Sequence, residues 1–172
     1  MLKKFAVTNF RGFADRIEWD LSNPSNYEFS QHAIKDGIIK NAIIYGPNGS
    51  GKSNFSFAVF DIVNHLTQKN KQDDYYVNFA HAAHLDSPVK FEYSFKLGEY
   101  NILYVYTKDI GGILLTEELT VNGKKIIRRK EKDITYDASL VINKKAMNTL
   151  LHENSNQVSV ISFLLASIPF PS

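Results

Sequence analysis

Gly46-Pro47-Asn48-Gly49-Ser50-Gly51-Lys52-Ser53 is the stretch of this chain whose residue types and spacing spell out a chemistry. It fits G-x-x-x-x-G-K-[ST], the loop in which backbone amides surround the phosphates of a nucleoside triphosphate, a lysine neutralises them and a hydroxyl ligates Mg²⁺. The glycines have a physical task. The backbone must come within hydrogen-bonding reach of phosphate oxygens with no Cβ in the way, partly in left-handed conformations, and Gly46, Gly49 and Gly51 supply that freedom. The amides from Gly49 to Asn54 are expected to point at the β- and α-phosphates, assisted by the dipole of a helix that starts at Lys52. Lys52 is expected to bridge the β- and γ-phosphates, and Ser53 Oγ to hold the metal. The expected ligands are therefore ATP and Mg. Composition alone produces the bare pattern roughly once in two hundred chains of this length.

Hydrolysis needs more than a phosphate cradle. A carboxylate at the end of a second core strand must hold Mg²⁺ through water, and a carboxylate or glutamine must orient the attacking water. Val59-Phe60-Asp61 lies inside a helical stripe, and Ile113-Leu114-Leu115-Thr116-Glu117-Glu118 has threonine where the metal carboxylate belongs. No catalytic residue is assigned. The chain is expected to hold a nucleotide without hydrolysing it unaided.

The loop needs a strand before it and a helix after it. Ile38 to Tyr45 is nearly all apolar beyond Lys40 and Asn41, as a strand buried on both faces should be. From Lys52 onward, Phe55, Ala58, Val59, Ile62, Val63 and Leu66 fall at spacings of three and four, which predicts a helix of about four turns. Upstream, Phe5-Ala6-Val7 and Ile17-Glu18-Trp19-Asp20-Leu21 read as strands joined by a turn at Arg11-Gly12, and residues 22–37 as a surface loop. Downstream the period changes to two. In Val89-Lys90-Phe91-Glu92-Tyr93-Ser94-Phe95-Lys96-Leu97 every odd position is apolar and every even one polar. Strand-like runs at 100–107, 113–121 and 124–128 follow, the last two flanking the hairpin dipeptide Asn122-Gly123. Residues 88–137 thus read as an antiparallel meander. Lys144 to Leu151, and Ser155 (an N-cap) through Ala166, read as helices of a tail at 140–172, stopped by Pro169 and Pro171.

The composition is that of an ordinary globular protein: 172 residues, 44% hydrophobic and 22% charged, which reads as one domain. A net charge of +2 is too small to imply nucleic-acid binding from bulk electrostatics. With no cysteine, disulfides and thiolate metal sites are excluded. No apolar h-region follows Met1-Leu2-Lys3-Lys4-Phe5, and the longest apolar run, Val158 to Phe163 continuing to Ile168, is too short and serine-broken to span a bilayer. A cytoplasmic protein without a membrane partner is expected.

Two stretches together resemble one branch of phosphate-loop ATPases. Leu2-Lys3-Lys4-Phe5-Ala6-Val7-Thr8-Asn9-Phe10-Arg11-Gly12-Phe13 resembles the I-x-N-F-R-S-F opening of ABC-type heads of the SMC and RecF kind, with Gly12 replacing the usual serine. Asn41-Ala42-Ile43-Ile44-Tyr45 with the loop through Asn54 resembles their Walker A segment, and the closest likeness is to the abortive-infection and OLD-like AAA/ABC-type ATPases of bacterial phage defence. The resemblance implies an α/β fold, the N-terminal lobe of such a head, with a mixed sheet around the phosphate loop and an antiparallel meander. It implies Arg11 as a further phosphate ligand. It also implies a complementing polypeptide, a second head or a C-terminal lobe in a homo- or hetero-oligomer. The signature motif, Walker B, D-loop and switch histidine of the family are not found here. Leu21-Ser22-Asn23 comes too early and lacks the glycine; Gln157 is the late candidate for a Q-loop. The chain is expected to be either a fragment or a naturally shortened head.

Lesser signals have blander readings beside them. His81-Ala82-Ala83-His84 with Asp86 could ligate a metal, but reads better as a surface segment. Lys124-Lys125-Ile126-Ile127-Arg128-Arg129-Lys130 could form a basic edge for DNA or RNA phosphates, or a solvated hairpin. The alternating aromatics Phe91, Tyr93, Phe95, Tyr100, Tyr104 and Tyr106 read as core rather than base-stacking platforms. The adenine is expected near Phe13 or the Ser30-Gln31-His32 loop. The expected function is an ATP·Mg-binding part of an ABC-type ATPase in phage defence or DNA processing, working by nucleotide-dependent dimerisation. Two alternatives stand beside it: a non-catalytic truncated head that regulates an intact ATPase, and a small phosphate-loop kinase.

Overall fold

The computed structural model describes residues 1–25, 31–67, 73–131, 133–137 and 158–167. Its main body is a seven-stranded sheet in which every pairing is antiparallel. β1 (Leu2–Thr8) and β2 (Ile17–Asp20) make one side. A separate two-residue ribbon pairs β3 (Ile34–Lys35) with β4 (Ile38–Ile39). The meander consists of β5 (Val89–Leu97), β6 (Tyr100–Lys108), β7 (Leu114–Val121), β8 (Lys124–Lys130) and β9 (Asp133–Tyr136). The strand order is β2-β1-β5-β6-β7-β8-β9. Helix α1 (Lys52–Thr67) and helix α2 (Val160–Ser167) are the α-helices among the described residues.

The expected α/β fold is wrong. A phosphate-loop lobe of the ABC type would have a parallel or mixed sheet around the loop, whereas the described residues form mostly an antiparallel sheet with two α-helices. The error lies in Ile38 to Tyr45. Only Ile38–Ile39 pairs, and residues 42–45 are exposed outside any strand. A continuous apolar run carries no period of its own, so it becomes a strand only where other strands flank it. Among the described residues none does.

Alternation explains the meander. The odd residues of β5, Val89, Phe91 and Tyr93, are buried, and opposite them in β6 stand Lys108, Tyr106 and Tyr104, buried on the same face. Phe5, Val7 and Phe10 extend this layer from β1, and α1 lies across it through Ala58, with Phe55, Val59, Ile62 and Leu66 packed alongside. Burying an aromatic or branched side chain contributes about 1.5–3 kcal/mol, so this layer is the main source of stability. The other face is polar: Arg16 reaches Glu92 at 2.9 Å and Glu18 at 2.7 Å. The Asn122-Gly123 turn has φ of 48° and 80°, the left-handed pair that a tight hairpin requires.

The contact between α1 and the sheet is unusual in being polar at its centre. Asp61 and His65 face the sheet, both buried. Asp61 Oδ2 accepts from Lys108 Nζ and from Tyr106 Oη, each at 2.7 Å, and its Oδ1 accepts from Tyr75 Oη at 2.9 Å. His65 Nε2 lies 2.7 Å from Tyr104 Oη, which donates to Glu117 at 2.8 Å. Glu117 also accepts from Ser159 Oγ at 2.7 Å and from the Val160 amide at 2.9 Å, so it caps α2 together with Ser159. α2 therefore starts at Val160, later than the Ser155 cap expected; Ser155 and the segment from Lys144 to Leu151 lie outside the described residues. Arg129 is buried too, donating to the Val158 carbonyl at 2.7 Å and to the Glu131 carbonyl at 2.8 Å.

Candidate functional site

The loop at 46–51 runs directly into α1, whose first helical residue is Lys52. Gly49 and Gly51 have φ of 82° and 90°, the region where L side chains are strained. A Cβ on Gly51 would also stand 3.3 Å from the Phe13 ring, so the turn between β1 and β2 presses on the loop here. Ser50 donates its amide to the Pro47 carbonyl at 3.3 Å, and Phe55 to the Gly51 carbonyl at 2.8 Å. The amides of Gly51, Lys52, Ser53 and Asn54 have no acceptor among the described residues. These are the orphan donors of a helix start, and α1 has no acidic residue in its first turn to satisfy or neutralise them.

Lys52 folds back over the loop, donating to the Gly46 and Pro47 carbonyls at 2.7 Å each. Its ammonium therefore lies against the carbonyls at the start of the loop. Ser53 is exposed in the first turn, and its hydroxyl has no partner among the described residues. Orphan amides, a folded-back ammonium and a free hydroxyl are the donor set that a Mg-bound triphosphate requires. The residues fit the group.

Arg11 lies in the turn between β1 and β2 at φ 48°, an uncommon setting for a side chain of its size. The turn abuts the start of α1, for a Cβ on Gly12 would meet Asn54 Nδ2 at 3.1 Å. Arg11 does not point freely into the loop, however. Its Nη2 donates to the Tyr75 carbonyl at 2.8 Å, and its guanidinium stands 5.0 Å from the Phe57 ring centre and 5.6 Å from that of Tyr75. Its Nε is buried with no partner, alone in that respect among the described side-chain atoms. Beside it opens a cavity of about 530 Å³, walled by Arg11, Gly12, Asn54, Tyr76, Phe79 and Leu85 among others.

Sequence reasoning named Arg11, Gly12 and Asn54 but missed the cavity they share with Tyr76, Phe79 and Leu85. Asn9, buried at the end of β1, donates to the carbonyls of His84 at 2.9 Å and Ser87 at 2.7 Å, and accepts from the His81 amide at 3.1 Å. It thereby holds the 81–87 loop that forms one wall. Tyr76 is held from behind: a Cβ on Gly112, at φ 82°, would lie 1.9 Å from Tyr76 Cε1. The visible signal was Gly111-Gly112, but its partner is far away in sequence. Tyr75 reaches Asp61 and carries the Arg11 contact on its carbonyl, so the acid in α1, the 73–76 turn and Arg11 form one chain of contacts. Burial, and after it the Asp61 charge, raises the Tyr75 phenol above its ordinary range.

Other candidates fall away from this place. Glu117 is consumed by Tyr104, Ser159 and the start of α2, and Glu118 pairs with Lys125 at 2.9 Å. The rings of His81 and His84 are 5.8 Å apart in a turn, but no three His, Cys, Asp or Glu residues come together as a metal site among the described residues. β8 is not an edge strand, because β9 covers it, and Arg129 turns inward while Lys124, Lys125, Arg128 and Lys130 stay exposed. Of the two expected adenine positions, Phe13 touches the loop at Gly51, and residues 31–33 form a short 3-10 turn. Ser30 and Gln157 lie outside the described residues. No helix among the described residues is long and apolar enough to cross a membrane. No protein-family model matches this chain, and no curated protein matches it.

Proposed function

We propose that this protein binds Mg·ATP through residues 46–54 and acts, in the cytoplasm, as the nucleotide-binding part of an ATPase assembly of phage defence or DNA processing. The observation that carries the proposal is the start of α1, where four amides without acceptors among the described residues, two left-handed glycines and Lys52 all fall within residues 49–54. The amides would hold phosphate oxygens, Lys52 would neutralise the β- and γ-phosphates, and Ser53 Oγ would ligate Mg²⁺. Bound there, the metal would supply charge neutralisation of the triphosphate. The cavity beside Arg11 is adjacent to this point and roomy enough for a nucleoside. Arg11, with its unpartnered Nε, is the residue that would join the two halves of the site.

Isothermal calorimetry with Mg·ATP tests this. The wild-type chain is expected to bind, and Lys52→Ala to lose at least about tenfold in affinity, roughly 1.4 kcal/mol. Equal affinities would end the proposal. A second reading is favoured by one observation: the carboxylates Asp61, Glu117 and Glu118 are all committed to other partners. The chain would then bind nucleotide without hydrolysing it and would act on another ATPase, as a completing or an inhibiting partner. Addition of the chain to an intact ATPase of the same host separates these roles by the sign of the change in turnover.

A further inference from the structure

The chain holds two Asn-Gly dipeptides, Asn48-Gly49 and Asn122-Gly123, and both stand exposed in turns. In such a pair the glycine nitrogen can attack the asparagine side chain, because no Cβ on the second residue blocks the approach. The fold treats the two in opposite ways. The Asn122 amide donates to the Asn101 carbonyl at 2.8 Å, and the Asn122 Oδ1 accepts from the Asn101 amide at 2.8 Å. Val121 pairs with Lys124 across the turn. The Asn122 side chain is thus held by its oxygen, on a backbone fixed by a strand at each end.

Asn48 has none of this. Neither its side chain nor its backbone amide has a partner among the described residues, and the Gly49 amide has no acceptor there. The turn is closed by a long bond, from the Ser50 amide to the Pro47 carbonyl at 3.3 Å. Residues 40–47 before it lie outside any strand. After it comes the start of α1, whose dipole favours negative charge nearby. Lys52 Nζ rests on the Pro47 carbonyl, which belongs to the peptide joining Pro47 to Asn48. Both favour the negative charge that attack by the Gly49 nitrogen develops.

We propose that Asn48-Gly49 is a site of spontaneous deamidation, and that the product shuts the loop to nucleotide. The Gly49 amide gives its proton to solvent base, and its nitrogen bonds to Asn48 Cγ. The Cγ–Nδ2 bond breaks, ammonia leaves with a proton from water, and a cyclic imide remains. Water then opens the ring at Cγ, leaving aspartate, or at the backbone carbonyl, leaving isoaspartate. The sum consumes water and releases ammonia; nothing is oxidised or reduced. Either product puts a carboxylate beside the amides of the loop, where it repels a phosphate. Isoaspartate also runs the backbone through the side chain, adding a methylene that shifts those amides. The closing of the loop, unlike the reaction, rests on the proposed function. A bound triphosphate would occupy the Gly49 amide and slow the attack.

The test incubates the full folded chain at mildly alkaline pH without nucleotide. Peptide mass spectrometry, with fragmentation that separates aspartate from isoaspartate, follows both dipeptides in one sample. Asn48 is expected to convert at least about tenfold faster than Asn122, since small misplacements of reacting atoms cost large factors in rate. In denaturant the two rates should come together, because the fold and not the dipeptide separates them. Equal rates in the folded chain, or an unchanged ratio in denaturant, would overturn the proposal. Modified protein isolated by ion exchange, and Asn48→Asp beside it, are expected to lose at least about tenfold in Mg·ATP affinity. Undiminished affinity in both, or conversion of Asn48 at the same rate under saturating Mg·ATP, would overturn the closing of the loop. A wild-type chain that binds no Mg·ATP would overturn the proposed function instead, whereas the rates without nucleotide decide the modification by themselves.

Discussion

The sheet under α1 and the stretch that precedes it are equally apolar and are treated in opposite ways. Along β5 and β6, the inner-face residues Val89, Phe91, Tyr93, Tyr104, Tyr106 and Lys108 are buried, and the polar atoms among them find partners across the strands or on the helix. At 42–45, three large apolar side chains stand in solvent on a backbone that pairs with nothing described. Hydrophobicity alone therefore does not decide burial here. β5 through β9 are joined by short hairpins that bring each strand its neighbour, whereas 42–45 needs neighbours that the described chain does not bring to it. One region carries its own stability and the other does not contribute. Perturbations of the first should be costly, and perturbations of the second nearly silent in the isolated chain.

High pH should break the sheet first. Burial, followed by a nearby carboxylate, raises the phenols of Tyr93, Tyr104 and Tyr106 well above their ordinary value of 10. Below pH 10 both the folded and unfolded chains keep these protons, so stability does not change on their account. Above it the unfolded chain releases protons that the folded chain retains, and stability falls as pH rises. Each phenol contributes on the order of 1.4 kcal/mol per pH unit, so the three together give a slope of about 4. Urea titrations at several alkaline pH values, with phenolate absorbance followed in parallel, should show the ionisation of these three buried tyrosines only as the chain unfolds. Smooth ionisation of all tyrosines in a folded protein would show that the inner face is open to water.

Next in size is the acid beneath α1. Asp61→Ala leaves the Lys108 ammonium, 2.7 Å from the carboxylate in the folded chain, buried without that counter-charge. Removing one partner of a buried pair costs about 3–5 kcal/mol, whereas replacing both by apolar groups is far cheaper. Asp61→Ala should therefore lose most of the chain's stability in a denaturant titration, and Asp61→Leu combined with Lys108→Met should recover much of it. If the double variant is as unstable as the single one, Asp61 acts through Tyr75 and Tyr106 rather than through the ion pair.

The same contrast explains what could be read from the residues alone. The alternation of Val89 to Leu97 and the dipeptide Asn122-Gly123 are local signals, and both describe structure that the chain completes within a few residues. The stripe from Phe55 to Leu66 was legible for the same reason: it is helix α1. The apolar run at 42–45 was misread because a doubly buried strand and an apolar segment without strand neighbours have the same sequence. Of the candidate site, the left-handed glycines Gly49 and Gly51 and the helix start at Lys52 were legible, since they follow from eight consecutive residues. Arg11 was expected near phosphates but is tied to Tyr75, and the cavity was invisible. Its walls come from residues near 11, 54, 76 and 85, brought together only by the fold. Asp61 was read only as lying inside a helical stripe, and its buried role was invisible because its partners Lys108 and Tyr106 lie more than forty positions away.

Gly112→Ala probes the packing of the β6–β7 turn on Tyr76. The new Cβ would lie 1.9 Å from the Tyr76 ring, and the residue would have to hold a left-handed φ of 82°. Overpacking and strain together should cost about 2 kcal/mol. Tyr76 also walls the cavity, so nucleoside binding should weaken along with stability. A loss of stability with unchanged Mg·ATP affinity would show that the nucleoside does not use that wall.

The smallest expected effect is the sharpest test of the contrast. Ile43→Asp replaces a residue that is 90% exposed, on a backbone without hydrogen bonds to the described residues, so neither a cavity nor an unpaired buried group is created. Surface changes of this kind stay within about 0.5 kcal/mol. The denaturation midpoint of the isolated chain should therefore not move, and solubility should rise, because a large apolar side chain leaves the surface. The same substitution at Phe91, fully buried in β5, should prevent folding. If Ile43→Asp instead destabilises the isolated chain by more than about 1 kcal/mol, the 42–45 segment is already buried against something in solution. The two regions would then differ in where their partners come from, not in whether they have them.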